Sequence, residues 1–402
     1  MAWDERVPVL LIGGGMISQD VIIPTLFQEQ DRGVVGEVSI ASRRASTLHK
    51  VRDLFPDYAF RGYPDPDTTD PEASFPDSYQ AALDDLDPHG VVMVATPDHL
   101  HTEMILAAIE RGHHVVVQKP LCLKVSDVYT ILTAAENKGI YVYTDYHKRH
   151  DRAIRAAQRY YRQGHLGEML HGHAWIEERR EMPLDIFSLW AEESSPFEYI
   201  GVHYADAYFF ITGLKPARVW GFGQKKFLPT QGQDAFDAVQ GVIEWTDGSV
   251  LWVQTSWVCA EANSSLTNQG MQLSGTQGEY WADHKDRKLH FVTQDKGFEH
   301  FNPNFFKQYE PWDGEGTEYV GYGYDSVMQG VHDARRILRA TESMDAAQAL
   351  QVRRDMLAEF AKSRPLPQQA VVGTAIAEAV RLSIDHNSRA VTFDELLYPV
   401  LE

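Results

Sequence analysis

The chain has 402 residues, with 37 Lys+Arg against 57 Asp+Glu for a formal charge of −20, and it is 44% hydrophobic and 23% charged. Such a length calls for roughly two domains, each able to bury a core, and a surface this acidic repels phosphate backbones and anionic lipid, which excludes nucleic acid and membrane surfaces as partners. Two cysteines cannot build a disulfide framework, no run of about 20 apolar residues is present, and no basic region precedes the short apolar run at 7–12, so a cytoplasmic protein without signal peptide or membrane span is expected.

Residues 7–12, 38–41, 91–95 and 115–117 are short continuous apolar runs, the pattern of strands buried on both faces. Helical segments at 100–111 and 125–138 stop at Gly112 and Gly139, glycine being the residue that most readily takes the left-handed backbone of a helix end. Strands alternating with helices predict right-handed βαβ crossovers. Residues 1–147 therefore read as an α/β Rossmann domain, doubly wound around a parallel sheet. Between Pro64 and Pro88 lie eight acids and no Lys or Arg, and four prolines in the first part forbid a regular helix. A solvated surface loop is expected there.

Beyond residue 150 the pattern changes. A helix at 153–161 gives way to alternating runs at 172–177, 217–222, 238–245, 249–257 and 271–274, with Asp247-Gly248 as a hairpin turn between two of them. Eight of the nine tryptophans fall in this half, which suits a sheet with one broad apolar face. Residues 148–402 are thus expected to form an α+β domain with an open, mainly antiparallel sheet. Its uncovered face predicts a homo-oligomer, a dimer or tetramer. Helices at 325–340 and 373–385 complete it, the last expected to pack near the first domain.

Gly13-Gly14-Gly15-Met16-Ile17-Ser18 directly follows the first strand. Gly13 permits a tight turn, Gly15 lets backbone approach a pyrophosphate, and Met16 and Ile17 open a helix whose free N–H groups attract that anion. After the second strand, Ser42-Arg43-Arg44 stands where a carboxylate ordinarily bonds the ribose 2′-hydroxyl of NAD. Ser42 and Arg43 suit a 2′-phosphate, so NAD or NADP is expected with a slight lean to NADP. Thr96-Pro97-Asp98-His99-Leu100-His101 and Gln118-Lys119-Pro120 follow two further strands, at the carboxyl ends where open α/β sheets bind ligands.

In this order the motifs resemble the Gfo/Idh/MocA family, named for glucose–fructose oxidoreductase, inositol dehydrogenase and a rhizopine-catabolism protein. The family shows a glycine turn, T-P-x-x-x-H, E-K-P, and a histidine-bearing helix in the second domain. The resemblance implies that Lys119 acts on the reacting hydroxyl and that His203, in Glu198-Tyr199-Ile200-Gly201-Val202-His203-Tyr204-Ala205-Asp206, takes its proton. It also implies cofactor contacts from Thr96, Pro97, His99, His101, Gln118, Lys119 and His147. Two positions depart from the family pattern: Gln118 replaces a glutamate, and Tyr199 replaces an aspartate, which makes Tyr199 a poorer base but a usable proton donor.

Asp206, one helical turn beyond His203, is expected to orient the imidazole and contact substrate. Trp175 is expected to stack on a sugar ring or to pack in the core, and of the adjacent Arg179 and Arg180 at most one, Arg179, is expected to meet a substrate anion, a solvated edge being the favoured reading. The pairs His99/His101 and His171/His173 lack a third ligand at recognisable spacing, so no metal is expected. The activity implied is NAD(P)-dependent hydride transfer at a secondary hydroxyl of a sugar or polyol. The alternative is a glycoside hydrolase that keeps its nicotinamide and works by transient oxidation, elimination, water addition and re-reduction.

Overall fold

The computed structural model describes residues 5–263 and 265–402. They form two compact units. The first comprises residues 5–121, Asp127–Asp145 and Phe306–Gln369, and the second Cys122–Ser126, the described residues of 146–305 and Ala370–Glu402.

In the first unit a six-stranded parallel sheet runs in the order β3-β2-β1-β4-β5-β6. Its strands are β1 (Val7–Ile12), β2 (Val35–Ala41), β3 (Arg61–Tyr63), β4 (Val91–Val94), β5 (His114–Gln118) and β6 (Val142–Asp145). The order reverses at β1, which pairs with both β2 and β4, so the glycine turn leaves the sheet at its switch point. The helices between strands are α1 (Ile23–Asp31), α2 (Ala45–Leu54), α3 (Ser78–Asp85), α4 (His101–Glu110) and α5 (Val125–Lys138).

Two expectations change here. The acidic stretch is not wholly loop, because α3 forms in its proline-free second part and buries Tyr79, Ala82 and Leu83. The segment 306–369, expected in the second domain, groups with the first unit. A parallel sheet needs cover on both faces, and the long helix α8 (Tyr322–Thr341) supplies it. A Cβ on Gly330 would lie 2.6 Å from Val116 Cγ2, so the helix backbone sits directly on β5.

The second unit contains an eight-stranded sheet in the order β12-β11-β7-β10-β9-β8-β17-β18. Its strands are β7 (Met169–Arg179), β8 (Pro216–Gln224), β9 (Ala238–Trp245), β10 (Val250–Cys259), β11 (Thr267–Gly275), β12 (Glu279–Asp283), β17 (Val391–Phe393) and β18 (Pro399–Leu401). The hairpin strands β13 (His290–Thr293) and β14 (Gly297–His300), and the pair β15 (Lys307–Tyr309) and β16 (Glu318–Val320), stand outside it. The β7–β10 pair is parallel and the other neighbours are antiparallel, a mixed but mainly antiparallel sheet.

Strand alternation gives this sheet two unlike faces. Ala174, Ile176, Val239, Ile243, Leu251, Val253, Met271 and Leu273 are buried on one. A Cβ on Gly221 would lie 2.3 Å from the Val380 carbonyl oxygen, so α10 (Pro367–Asp385) covers that face. The helices α6 (Arg152–Arg162) and α7 (Val202–Thr212) also belong to this unit, and α9 (Ala346–Phe360) belongs to the first. On the other face Phe222, Trp252 and Trp281 remain 42%, 43% and 63% exposed, an open apolar surface.

Candidate active site

At the end of β1 the chain must turn sharply and pass close to β4. Gly13 takes φ 109°, and a Cβ there would sit 2.3 Å from the Ala95 carbonyl oxygen. Gly15 is different: it is exposed, and a Cβ on it would meet nothing within 4 Å. The turn is braced by its own side chains. Ser18, wholly buried, donates to the Gly13 carbonyl at 2.7 Å, and Gln19 Nε2 donates to the Gly14 carbonyl at 2.6 Å. Met16 and Ile17 are the first helical residues, half-buried, and Ser18–Ile22 winds as a π-helical turn leading into α1. An open cradle at Gly15 before a helix start fits the pyrophosphate of a dinucleotide.

After β2, Ser42 is buried, with its N–H donating to the Tyr63 carbonyl at 2.8 Å and its carbonyl accepting from Ser78 Oγ at 2.9 Å. Arg43 and Arg44 are exposed, and Arg43 Nε donates to Ser74 Oγ at 2.8 Å. No carboxylate occupies residues 42–44, so the loop presents a hydroxyl and two guanidinium groups.

Beyond β4, Thr96 and Pro97 are half-buried and His99 is exposed. His101 departs from its expected cofactor role. It is 1% exposed, with Nδ1 2.8 Å from the Pro120 carbonyl oxygen and Nε2 3.0 Å from that of Thr96. Burial pushes its pKa down to about 4, so the ring is neutral and one nitrogen donates. His101 is a tether joining the loops after β4 and β5. Gln118 also departs: its Nε2 donates to Asp145 Oδ2 at 2.7 Å in a buried pair, so that donor is spent inside the sheet. Lys119, half-buried, follows at the end of β5.

In the second unit His203 lies in the first turn of α7 and is 3% exposed. A Cβ on Gly201 would meet Thr255 Cγ2 at 2.8 Å, which seats the start of α7 on the helix-covered face of the sheet. The His147 ring lies 4.4 Å from that of His203, and Phe305 lies 5.2 Å from His147. Tyr199 sits among Phe187, Trp190 and Trp257, at ring distances of 5.2, 5.3 and 6.1 Å.

Asp206 is not arranged as expected. Arg149 Nε donates to its Oδ2 at 2.8 Å and Nη2 to its Oδ1 at 2.6 Å, a bidentate pair 4% and 1% exposed. The carboxylate anchors Arg149. Lys148 is buried too, over the Tyr204 ring at 4.8 Å and donating to Gln269 Oε1. The basic run at 147–149 is thus largely interior.

Two substrate expectations meet the parity of β7. Trp175 pairs with Gln254 and Gly270, in line with open-face Trp252 and opposite to buried Ala174 and Ile176. It therefore lies on the face away from α7. Arg179, four residues on, ends the strand and pairs with Glu181 at 2.6 Å. Its neighbour Arg180 lies over the Phe227 ring at 4.5 Å. Asp145 went unremarked in the sequence reading, since one acid after the run Tyr141–Tyr143 carries no spacing signal.

Fold and glycine turn together define a Rossmann dinucleotide-binding unit joined to an α+β unit built on a large mixed sheet. Residues 7–146 match the family model described as oxidoreductase family, NAD-binding Rossmann fold, and residues 154–281 match the GFO/IDH/MocA C-terminal domain. The chain belongs to the Gfo/Idh/MocA oxidoreductase family. It is 26% identical over 199 residues to 1,5-anhydro-D-fructose reductase of Ensifer adhaerens, covering 46% of this chain and 55% of that one. It is 27% identical over 210 residues to D-glucoside 3-dehydrogenase of Escherichia coli, covering 49% and 60%. These matches span little more than half the length of either relative. Myo-inositol 2-dehydrogenase from Lactobacillus plantarum shares the fold with TM-score 0.68 at 13% identity, over 97% of this chain and 100% of that one. No helix among the described residues is long and apolar enough to cross a membrane.

Proposed function

We propose that the protein is a cytoplasmic NAD(P)-dependent oxidoreductase acting on a secondary hydroxyl of a sugar or polyol. The observation that carries this reading is Lys119, placed at the carboxyl end of β5 in a Rossmann unit whose glycine turn opens a cradle at the switch point. Two of its relatives are a sugar reductase and a glucoside dehydrogenase by name. Gly13, Gly15, Met16 and Ile17 would hold the pyrophosphate, and Ser42 and Arg43 the adenosine ribose. Exposed Arg43 and Arg44, with no acid at residues 42–44, support NADP over NAD. When bound, the nicotinamide supplies the acceptor or donor of hydride.

Lys119 Nζ holds the negative charge that grows on the substrate oxygen, and the His203 imidazole takes the hydroxyl proton. Tyr199 serves as a hydroxyl donor to substrate. Arg149 and Asp206 brace α7 as an internal pair. The protein is also a homo-oligomer through the open face bearing Trp252 and Trp281, which static light scattering checks; a strict monomer refutes that part.

The test supplies sugars, inositols and their keto forms with each nicotinamide and follows absorbance of the reduced cofactor. Turnover with at least one polyol is expected. None across the panel, from protein shown by titration to bind cofactor, overturns the reading. The same assay run with aryl glycosides exposes the hydrolytic alternative, as aglycone release without net cofactor reduction.

A further inference from the structure

Three successive side chains of the turn His147–His150 meet one helix, α7. The His147 ring lies 4.4 Å from that of His203 and is tilted 47° to it. Lys148 Nζ sits 4.8 Å over the Tyr204 ring, and Arg149 donates to both oxygens of Asp206 at 2.8 and 2.6 Å. Lys148 and Arg149 are buried, so neither cation leaves its place without stranding a charge in the interior. Tyr204 is held in turn, with its hydroxyl 2.9 Å from His284 Nδ1, while His284 Nε2 lies 2.9 Å from the Tyr280 hydroxyl. The turn and the start of α7 are therefore locked in one register. Phe305 also packs on His147, with ring centres 5.2 Å apart and planes tilted 50°.

We infer that His147 is a positioning residue for His203, a role that rests on the reading of His203 as proton acceptor given above. An imidazole turns about a broad side-chain torsion, so backbone position alone leaves its plane open. A second ring packed against it restricts that swing, and the contacts of Lys148 and Arg149 fix where the second ring stands. A general base works only with its nitrogen in hydrogen-bond reach of the hydroxyl, and a misplacement of about 1 Å costs about 10²-fold in rate. His147 acts through its ring.

The test compares His147→Phe, which keeps a ring without the nitrogens, with His147→Asn, which keeps a nitrogen without the ring. In turnover with a sugar or polyol, His147→Asn should lose about 10²-fold in kcat, and His147→Phe should retain most of the activity. In a His203→Ala background, His147→Asn should cost nothing further, because the residue it works through is gone. In protein without cofactor, diethyl pyrocarbonate should acylate His203 slowly in wild type and in His147→Phe, and several-fold faster in His147→Asn, as read by peptide mass.

Equal losses in His147→Phe and His147→Asn overturn the inference, as do additive losses in the His203→Ala background or an acylation rate that ignores the ring. Should His147→Asn fail to fold, Phe305→Ala removes the other ring packed on His147 and should shift kcat and acylation in the same directions; no change in either sinks the proposal. Wild-type protein that reduces no cofactor with any sugar or polyol refutes the oxidoreductase reading instead, because acylation of His203 is measured without turnover.

Discussion

In the parallel sheet of the first unit Val9, Leu10 and Leu11 are all fully buried, because helices cover both faces. Side chains along its strands have no access to a ligand, so polar and glycine residues gather where strands stop: Gly13, Ser42, Thr96 and Gln118–Lys119. The mixed sheet of the second unit works otherwise. Adjacent residues on one strand serve different surroundings there, Ala174 and Ile176 in the core and Trp175 on the open face. In the first unit, position along the chain suffices to nominate a functional residue. In the second, the face decides, and a shift of one residue reverses it.

The sharpest way to break this contrast is a pair of substitutions. Lys119→Ala, at a strand end, should lower kcat by about 10²–10⁴-fold, whereas Trp175→Ala, on the face away from α7, should leave steady-state turnover unchanged. Comparable losses would show that face does not govern the second unit.

Next in size is the buried ion pair. Arg149→Ala strands the Asp206 carboxylate in the interior and should cost about 3–5 kcal/mol in urea unfolding. Removing both charges with Arg149→Met and Asp206→Leu should recover most of that loss. A single substitution that costs almost nothing would mean that Asp206 has another partner and is free for the site.

The third concerns His101. Its folded-state pKa of about 4 lies below the ordinary 6.5, so the unfolded chain binds the extra proton and stability falls as pH drops through that window. The slope is about 1.4 kcal/mol per pH unit at most. His114, whose buried ring is likewise pushed down, to about 3, adds to it. Melting curves of His101→Asn should be flatter between pH 6.5 and 4 by its share; an unchanged slope would remove the tether from the first unit.

The smallest effect separates two glycines in one turn. Gly15→Ala meets open space, so it should leave the melting temperature alone while weakening cofactor binding about tenfold, roughly 1.4 kcal/mol. Gly13→Ala combines φ 109° with a backbone clash and should cost more than about 1 kcal/mol of stability. Fluorescence titration and calorimetry read both.

Several elements were legible because their signals are local. The runs at 7–12, 91–95 and 115–117 form strands β1, β4 and β5 within two residues of expectation, and their helices end at the glycines that announce them. Strand β3 escaped because three residues, Arg61–Tyr63, carry no apolar run and borrow their order from β2. Helix α8 was seen as a helix, but its unit was not, since nothing in its own amphipathic pattern names the sheet it covers. Asp145 was missed for the same reason: its donor Ser326 lies 181 residues away.

By itself the sequence determined the parallel α/β unit, the glycine turn for a dinucleotide, and a lysine at a strand end, since each follows from residues within a few positions of one another. Tertiary structure alone decided which buried charge meets which partner and which face a strand residue shows. His101 became a tether, Gln118 a support for Asp145, and Asp206 the counter-ion of Arg149, while Trp175 turned to the open face. Those outcomes depend on contacts between distant segments, where desolvation makes a polar group accept whichever partner the packed fold places beside it.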